Sequence, residues 1–283
     1  MPRNPTEPNP PISPAGWLAN FRYFRAGEDG AHLSSEALGF RLGVSGATVR
    51  RWESGQAQPN ESDLFRFADV CHLSPLQREF VLRLFAGTTT RGEAGVPINF
   101  HAEVTSVLSI QRPAYVVDEL FYIRAWNSHF AAVTGGFVDL FPDVVNAVEL
   151  GLTIGALDDP DEEAERVRTI TRLTWMWTAH LAGFPAYAEL VTRLLDTPAF
   201  ADNWQAIARE PVESVQRPLI MPIVQRRPPL NLFTVYTGQI LFPPLYHLFV
   251  YEPRDSQTAA YLASRVGNAA PKVSFANRTH WAD

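Results

Sequence analysis

Cysteine occurs once in the 283 residues, at Cys71, lysine once, at Lys272, and charged side chains make up only 19%. A lone cysteine forms no intrachain disulfide, which removes the main reason to place the chain outside the cell, so a reducing cytoplasm is expected. With lysine confined to position 272 there is no Walker lysine, and no GxGxxG occurs. The seven histidines, His32, His72, His101, His129, His180, His247 and His280, form no i, i+4 pair, no HExxH and no cluster with cysteine. A metal site therefore has little support, and no cofactor is expected to be required. Gly43-Val44-Ser45-Gly46 falls short of a serine nucleophile elbow, because the second glycine comes one place early. The acidic run 158–163 lacks calcium-loop spacing and suits a helix amino-terminus instead. Long hydrophobic runs are missing too: residues 228–251 are uncharged but interrupted by Pro228, Pro229, Pro243 and Pro244. The first fourteen residues hold six prolines and no apolar stretch, so neither a signal peptide nor a membrane anchor is expected.

What is abundant is apolar surface. Hydrophobic residues reach 46%, with seven Trp, eight Tyr and eighteen Phe, which excludes a disordered, collagen-like or simple coiled-coil chain. The length suits about two domains. The net charge of −6 is uneven: residues 1–91 carry ten arginines against nine acids, and the remainder thirteen arginines and Lys272 against twenty-one acids. Such a chain does not coat a nucleic acid electrostatically, so any DNA contact must come from a few placed arginines. Composition divides the chain into a disordered, proline-rich leader (1–14), a helical block (15–87), a Thr/Gly/Pro-rich linker (88–97), a mixed block (98–266) and a tail (267–283).

In the helical block, Ser34 precedes a helical run over 35–42, Gly43-Val44 breaks it, and Ser45 caps a second run ending at Gly55. Two short helices with a tight glycine turn make a helix-turn-helix. On the second, Val49 and Trp52 share one side and Ala47, Arg50 and Arg51 the other. Arginine's fork matches the two acceptors of guanine in the major groove. The expected DNA contacts are Gly46, Ala47, Thr48, Arg50 and Arg51 near bases, with Ser34, Ser35, Ser45 and their helix amino-termini on phosphates. Leu64, Phe67, Ala68 and Cys71 repeat at helical spacing, which buries the thiol. Ser74-Pro75-Leu76-Gln77 is a capping box, and Phe80, Val81, Leu84 and Phe85 close a five-helix domain.

The segment 33–55, with Gly43-Val44-Ser45, Val49, Trp52-Glu53 and Gly55, followed by Pro59 and 64–68, resembles the Cro/repressor type of helix-turn-helix, the XRE family. The resemblance implies that Glu53, beside Trp52, pairs with an arginine of the first helix: Arg25, with Arg22 as the alternative.

In the mixed block, residues 116–127 read as strand, acidic turn and strand, with Asn127 capping a helix to Val133. Helical patterns fill 138–208, strands return at 218–225, 230–242 and 245–251, and a helix closes at 256–265. The fold class is mixed: an all-α five-helix DNA-binding domain, then an α+β domain with a mainly antiparallel sheet. This order, and the spacing of Asp118 and Asn127, resemble the ligand-binding domain of MmyB-like transcription regulators, which is PAS-like. The resemblance implies a sensor of a small apolar ligand, with a fatty acid, long-chain such as myristate, as leading candidate.

The residues also ask for apolar cover. Trp175 and Trp177 fall about 200° apart on a helix, and strand 230–242 is apolar on both faces. Helices, another subunit or a bound hydrocarbon would cover such surfaces. Given the resemblance, the expected pocket is lined by Trp126, Phe130, Trp175, Trp177, Phe184, Phe233 and Tyr236, with Arg172, His180 or Arg124 meeting a carboxylate head. The chain thus reads as a cytoplasmic, bacterial-type transcription regulator, not an enzyme, acting as a homodimer on double-stranded DNA without a membrane. The alternative is a small-molecule enzyme carrying a helical interaction module.

Overall fold

A computed structural model describes residues 9–25, 32–86, 100–140, 145–153, 157–212, 219–222, 232–240, 246–267 and 270–276. The linker expected at 88–97 lies outside these. Along the chain come α1 (Pro14–Tyr23), α2 (Ser35–Leu42), α3 (Gly46–Glu53), α4 (Glu61–Val70), α5 (Pro75–Ala86), α6 (Phe100–Leu108), β1 (Ala114–Val117), β2 (Ile123–Asn127), α7 (Ser128–Val133), α8 (Phe137–Leu140), α9 (Ala147–Thr153), α10 (Pro160–Thr178), α11 (Pro185–Leu195), α12 (Pro198–Arg209), β3 (Leu219–Pro222), β4 (Leu232–Ile240), β5 (Tyr246–Pro253), α13 (Ser256–Val266) and β6 (Val273–Phe275). Among the described residues no helix is long and apolar enough to cross a membrane.

Two compact units result. The first combines residues 1–92 with 171–215, and the second combines 93–170 with 216–283. This differs from the expected division at the linker, which kept 98–266 together. The physical reason is aromatic burial: Trp17 of α1 meets Phe80 of α5 at 4.9 Å and Trp204 of α12 at 5.5 Å between ring centroids, and Phe80 meets Trp175 of α10 at 4.3 Å. Trp17, Phe80, Trp175 and Trp204 are all fully buried, so the five amino-terminal helices share one core with the end of α10 and with α12.

Local chemistry sets the helix starts of the first unit. Ser34 accepts from Ala37 N at 3.0 Å, Ser45 from Thr48 N at 3.0 Å and Asn60 from Asp63 N at 2.8 Å. Ser74 and Gln77 form the expected reciprocal box: Ser74 N donates to Gln77 Oε1 at 2.9 Å and Gln77 N to Ser74 Oγ at 3.4 Å. Gly43, at φ +71°, ends α2 in the left-handed region that glycine adopts without a Cβ penalty. Residues 9–13, expected to belong to a mobile leader, are tied down, since Trp204 Nε1 donates to Pro11 O at 2.8 Å and Ser13 caps α1.

The second unit is built on one antiparallel sheet of order β3-β4-β5-β1-β2-β6. Its sixth strand corrects the expectation of a frayed tail: Val273 to Phe275 pair with the edge of β2, satisfying that strand's open backbone groups. On one face Ala114, Val116 and Ala125 pack beneath Val104 and Leu108 of α6. On the other, Trp126, Tyr115 and Phe249 stand side by side in register across β2, β1 and β5. Asn127 joins the layers: its Oδ1 caps α7 through Phe130 N at 3.0 Å and also accepts from Ala114 N at 3.1 Å, while its Nδ2 donates to Arg112 O at 2.7 Å. This PAS-like α+β arrangement places an aromatic sheet face under α7.

Candidate DNA-reading helix and ligand-binding face

α3 divides as its periodicity predicts. Val49 and Trp52 are buried, while Ser45, Ala47, Arg50 and Arg51 are exposed and Gly46 and Thr48 half-buried. The amino-terminus of α3 is ordered twice over, since Ser45 Oγ also shares a hydrogen bond with Thr48 Oγ1 at 2.8 Å. Among the described residues the Arg51 side chain has no hydrogen-bond or ion-pair partner. Arg50 is instead held by an ion pair with Glu36 of α2, both groups remaining more than half exposed. Ser34 is exposed at the start of α2, but Ser35 is buried, with its hydroxyl 3.4 Å from Glu53 Oε2. Ser35 thus serves the interior rather than a phosphate.

The glutamate of the helix-turn-helix pairs with Arg22, the second of the two expected partners. Arg22 Nε lies 2.5 Å from Glu53 Oε1 and Nη2 3.1 Å from Oε2, a two-pronged grip. Arg25 is engaged elsewhere: its Nε donates to Cys71 O at 2.6 Å and its Nη1 to Arg209 O at 3.0 Å, at the carboxy-terminal ends of α4 and α12. Those carbonyls attract a cation because they end helices.

The expected ligand residues are spread over both units, and those of the second unit do not all share one face of the sheet. Trp126, Phe130 and Phe233 lie on or against the same aromatic face, with Phe130 at 4.5 Å from Tyr115 and Phe233 at 5.9 Å from Tyr251. Trp126 also donates through Nε1 to Asp139 Oδ1 at 2.7 Å. Tyr236 points to the opposite side of β4, in register with Val250, and is 59% exposed. Alternation along a strand puts positions 233 and 236 on opposite faces, so the two cannot line one pocket. Arg172, Trp175, Trp177, His180 and Phe184 belong to the first unit, where Trp175 is core and the other four are half-buried. Arg124 is no free donor for a carboxylate head: it is 4% exposed and bound to Asp118, Nε to Oδ2 at 2.7 Å. Asp118 Oδ1 in turn accepts from Leu120 N at 2.9 Å and Tyr122 N at 3.0 Å, which fixes the β1 to β2 turn.

Two residues of this face escaped the sequence reading. Tyr115 and Tyr251 are buried among Phe130, Phe233 and Phe249. Burial pushes the Tyr251 hydroxyl up to about 12 and Tyr115 well above the usual tyrosine range, so both stay neutral hydrogen-bonding groups. Their signal was the alternation itself, since Tyr251 follows Phe249 by two and Tyr115 pairs with Phe249 across the sheet.

A serine-capped helix with an exposed arginine face, joined in one chain to a PAS-like sheet with a buried aromatic face, defines a DNA-binding transcription regulator with a ligand-binding domain. A helix-turn-helix domain model matches residues 22–81. The model of the MmyB-like transcription regulator ligand binding domain matches residues 103–264, more than half of the chain, and the protein belongs to this family. No curated protein matches the chain.

Proposed function

We propose that the protein is a cytoplasmic, sequence-specific regulator that binds double-stranded DNA as a homodimer and senses a long-chain fatty acid, such as myristate, through its second unit. The observation that carries the DNA reading is the outer face of α3, where Ala47, Arg50 and Arg51 are exposed beside a capped amino-terminus. Small residues let that end approach a base edge, and the guanidiniums match guanine. One such helix reads too few base pairs for selectivity, so two copies must engage half-sites about one helical turn apart. On the sensor side, Trp126, Phe130 and Phe233 supply an apolar wall, and the neutral Tyr115 and Tyr251 hydroxyls supply polar anchors. A ligand regulates only if it binds one dimer spacing better than another.

Fluorescence anisotropy with DNA from upstream of the protein's own gene, with and without myristate, tests both halves. Arg50→Ala/Arg51→Ala is expected to abolish selective binding with the fold intact, and myristate to shift the wild-type affinity. Unchanged selectivity in the double variant refutes the DNA reading, and the absence of saturable myristate binding refutes the ligand.

A further inference from the structure

Glu36 is the one acidic residue in the first turn of α2, and its carboxylate is occupied by Arg50 of α3, the helix proposed above to read bases. The two side chains are 68% and 55% exposed, so this is a surface pair whose contribution to folding is small. Its place is nonetheless built into the backbone. A Cβ on Gly46 would stand 3.0 Å from Glu36 Cα and 3.2 Å from its Cγ and Cδ. Glycine at 46 thus lets Glu36 lie close along the start of α3, where a Cβ would crowd it. The hydrogen bond from Arg50 holds the Glu36 carboxyl below the usual carboxylate range, so it stays ionised wherever DNA binding is measured.

We infer that Glu36 is a positioning and specificity-determining residue, one that holds Arg50 for base readout and suppresses its attraction to phosphate. The inference rests on the DNA-reading proposal. Arg50 meets Glu36 through Nη1. Its Nε and Nη2 edge remains, a pair of parallel donors that can meet guanine O6 and N7. An unpaired Arg50 beside Arg51 would attract any phosphate. Paired with Glu36, its charge is cancelled toward the DNA backbone and its rotamer is restricted before binding, which lowers the ordering cost of one particular contact. The carboxylate also repels phosphates that approach out of register.

The test uses the full chain, a duplex selected from a random library by the wild-type protein, and an unrelated duplex of equal length. Anisotropy is read at several salt concentrations between about 50 and 200 mM, the range over which counterion release is resolved. Glu36→Gln is expected to bind the unrelated duplex about tenfold more tightly, to steepen the salt dependence by about one phosphate contact, and to lower the selected-to-unrelated ratio about tenfold. Thermal unfolding should be unchanged, and in an Arg50→Ala background Glu36→Gln should no longer alter the ratio. The inference is overturned if Glu36→Gln strengthens both duplexes equally, or acts the same with and without Arg50, since Glu36 would then be only a distant charge. If Arg50→Ala destroys selectivity while Glu36→Gln leaves it intact, the inference alone falls. If the wild-type protein enriches no sequence, the DNA-reading proposal falls with it.

Discussion

The side-chain amide of Gln77 lies 2.6 Å from the carbonyl oxygen of Ile207, donating from the first turn of α5 to the last turn of α12. The same Nε2 reaches Glu210 O at 2.8 Å, while Oε1 completes the capping box of α5. One fully buried side chain therefore satisfies the ends of two helices far apart in sequence.

Gln77→Met keeps the volume and removes both donors and the acceptor. Leaving buried carbonyls unpaired costs about 1 to 3 kcal/mol each, so a loss of about 3 kcal/mol is expected in urea unfolding. A loss below about 0.5 kcal/mol would mean water replaces the amide and the clamp is incidental.

Trp175→Ala separates core from pocket. The indole is fully buried against Phe80, so truncation should cost about 3 to 5 kcal/mol through the cavity it leaves. Myristate affinity, measured where the variant is still folded, should be unchanged. The reverse result, lost affinity with little lost stability, would return Trp175 to the ligand site.

Arg51→Ala should leave the melting temperature within a degree or two, because the side chain is exposed and has no partner among the described residues. Its affinity for a selected duplex should fall by about 10- to 100-fold, the worth of one bidentate base contact. If only the salt dependence weakens, uniformly over all sequences, Arg51 contacts phosphate instead.

Cys71 gives a pH prediction. Burial pushes its thiol up to about 12, partly offset by Arg25, so the native state holds the proton more tightly than the unfolded chain. Stability from this group is intact below the unfolded thiol range and declines as pH climbs from about 9 toward about 12. At pH 8 a thiol reagent should label Cys71 only after unfolding. Rapid labelling of the folded protein would show that the α4 end opens.

How legible all this was in the sequence depends on how local each determinant is. Ser34, Ser45, Asn127 and the Ser74/Gln77 box were readable because a cap acts over three residues. The Glu53 partner was not, because Arg22 and Arg25 are three apart in sequence, and only the end of α1 at Tyr23 and the distant carbonyls of Cys71 and Arg209 decide which is drawn away. Tyr115 and Tyr251 were missed since neither has meaning until β1 and β5 pair. Trp175 was assigned to the ligand because nothing in its neighbourhood along the chain announces Trp17 and Phe80 as its packing partners.

The inclusion of residues 171–215 in the first unit bears on how members of this family can be recombined. A chimera joined at residues 88–97 would exchange α12 as well, stripping Trp17 of Trp204 and leaving Arg25 and Gln77 facing foreign carbonyls. Working hybrids need three splice points rather than one junction, so that α11 and α12 travel with the helix-turn-helix they are moulded to.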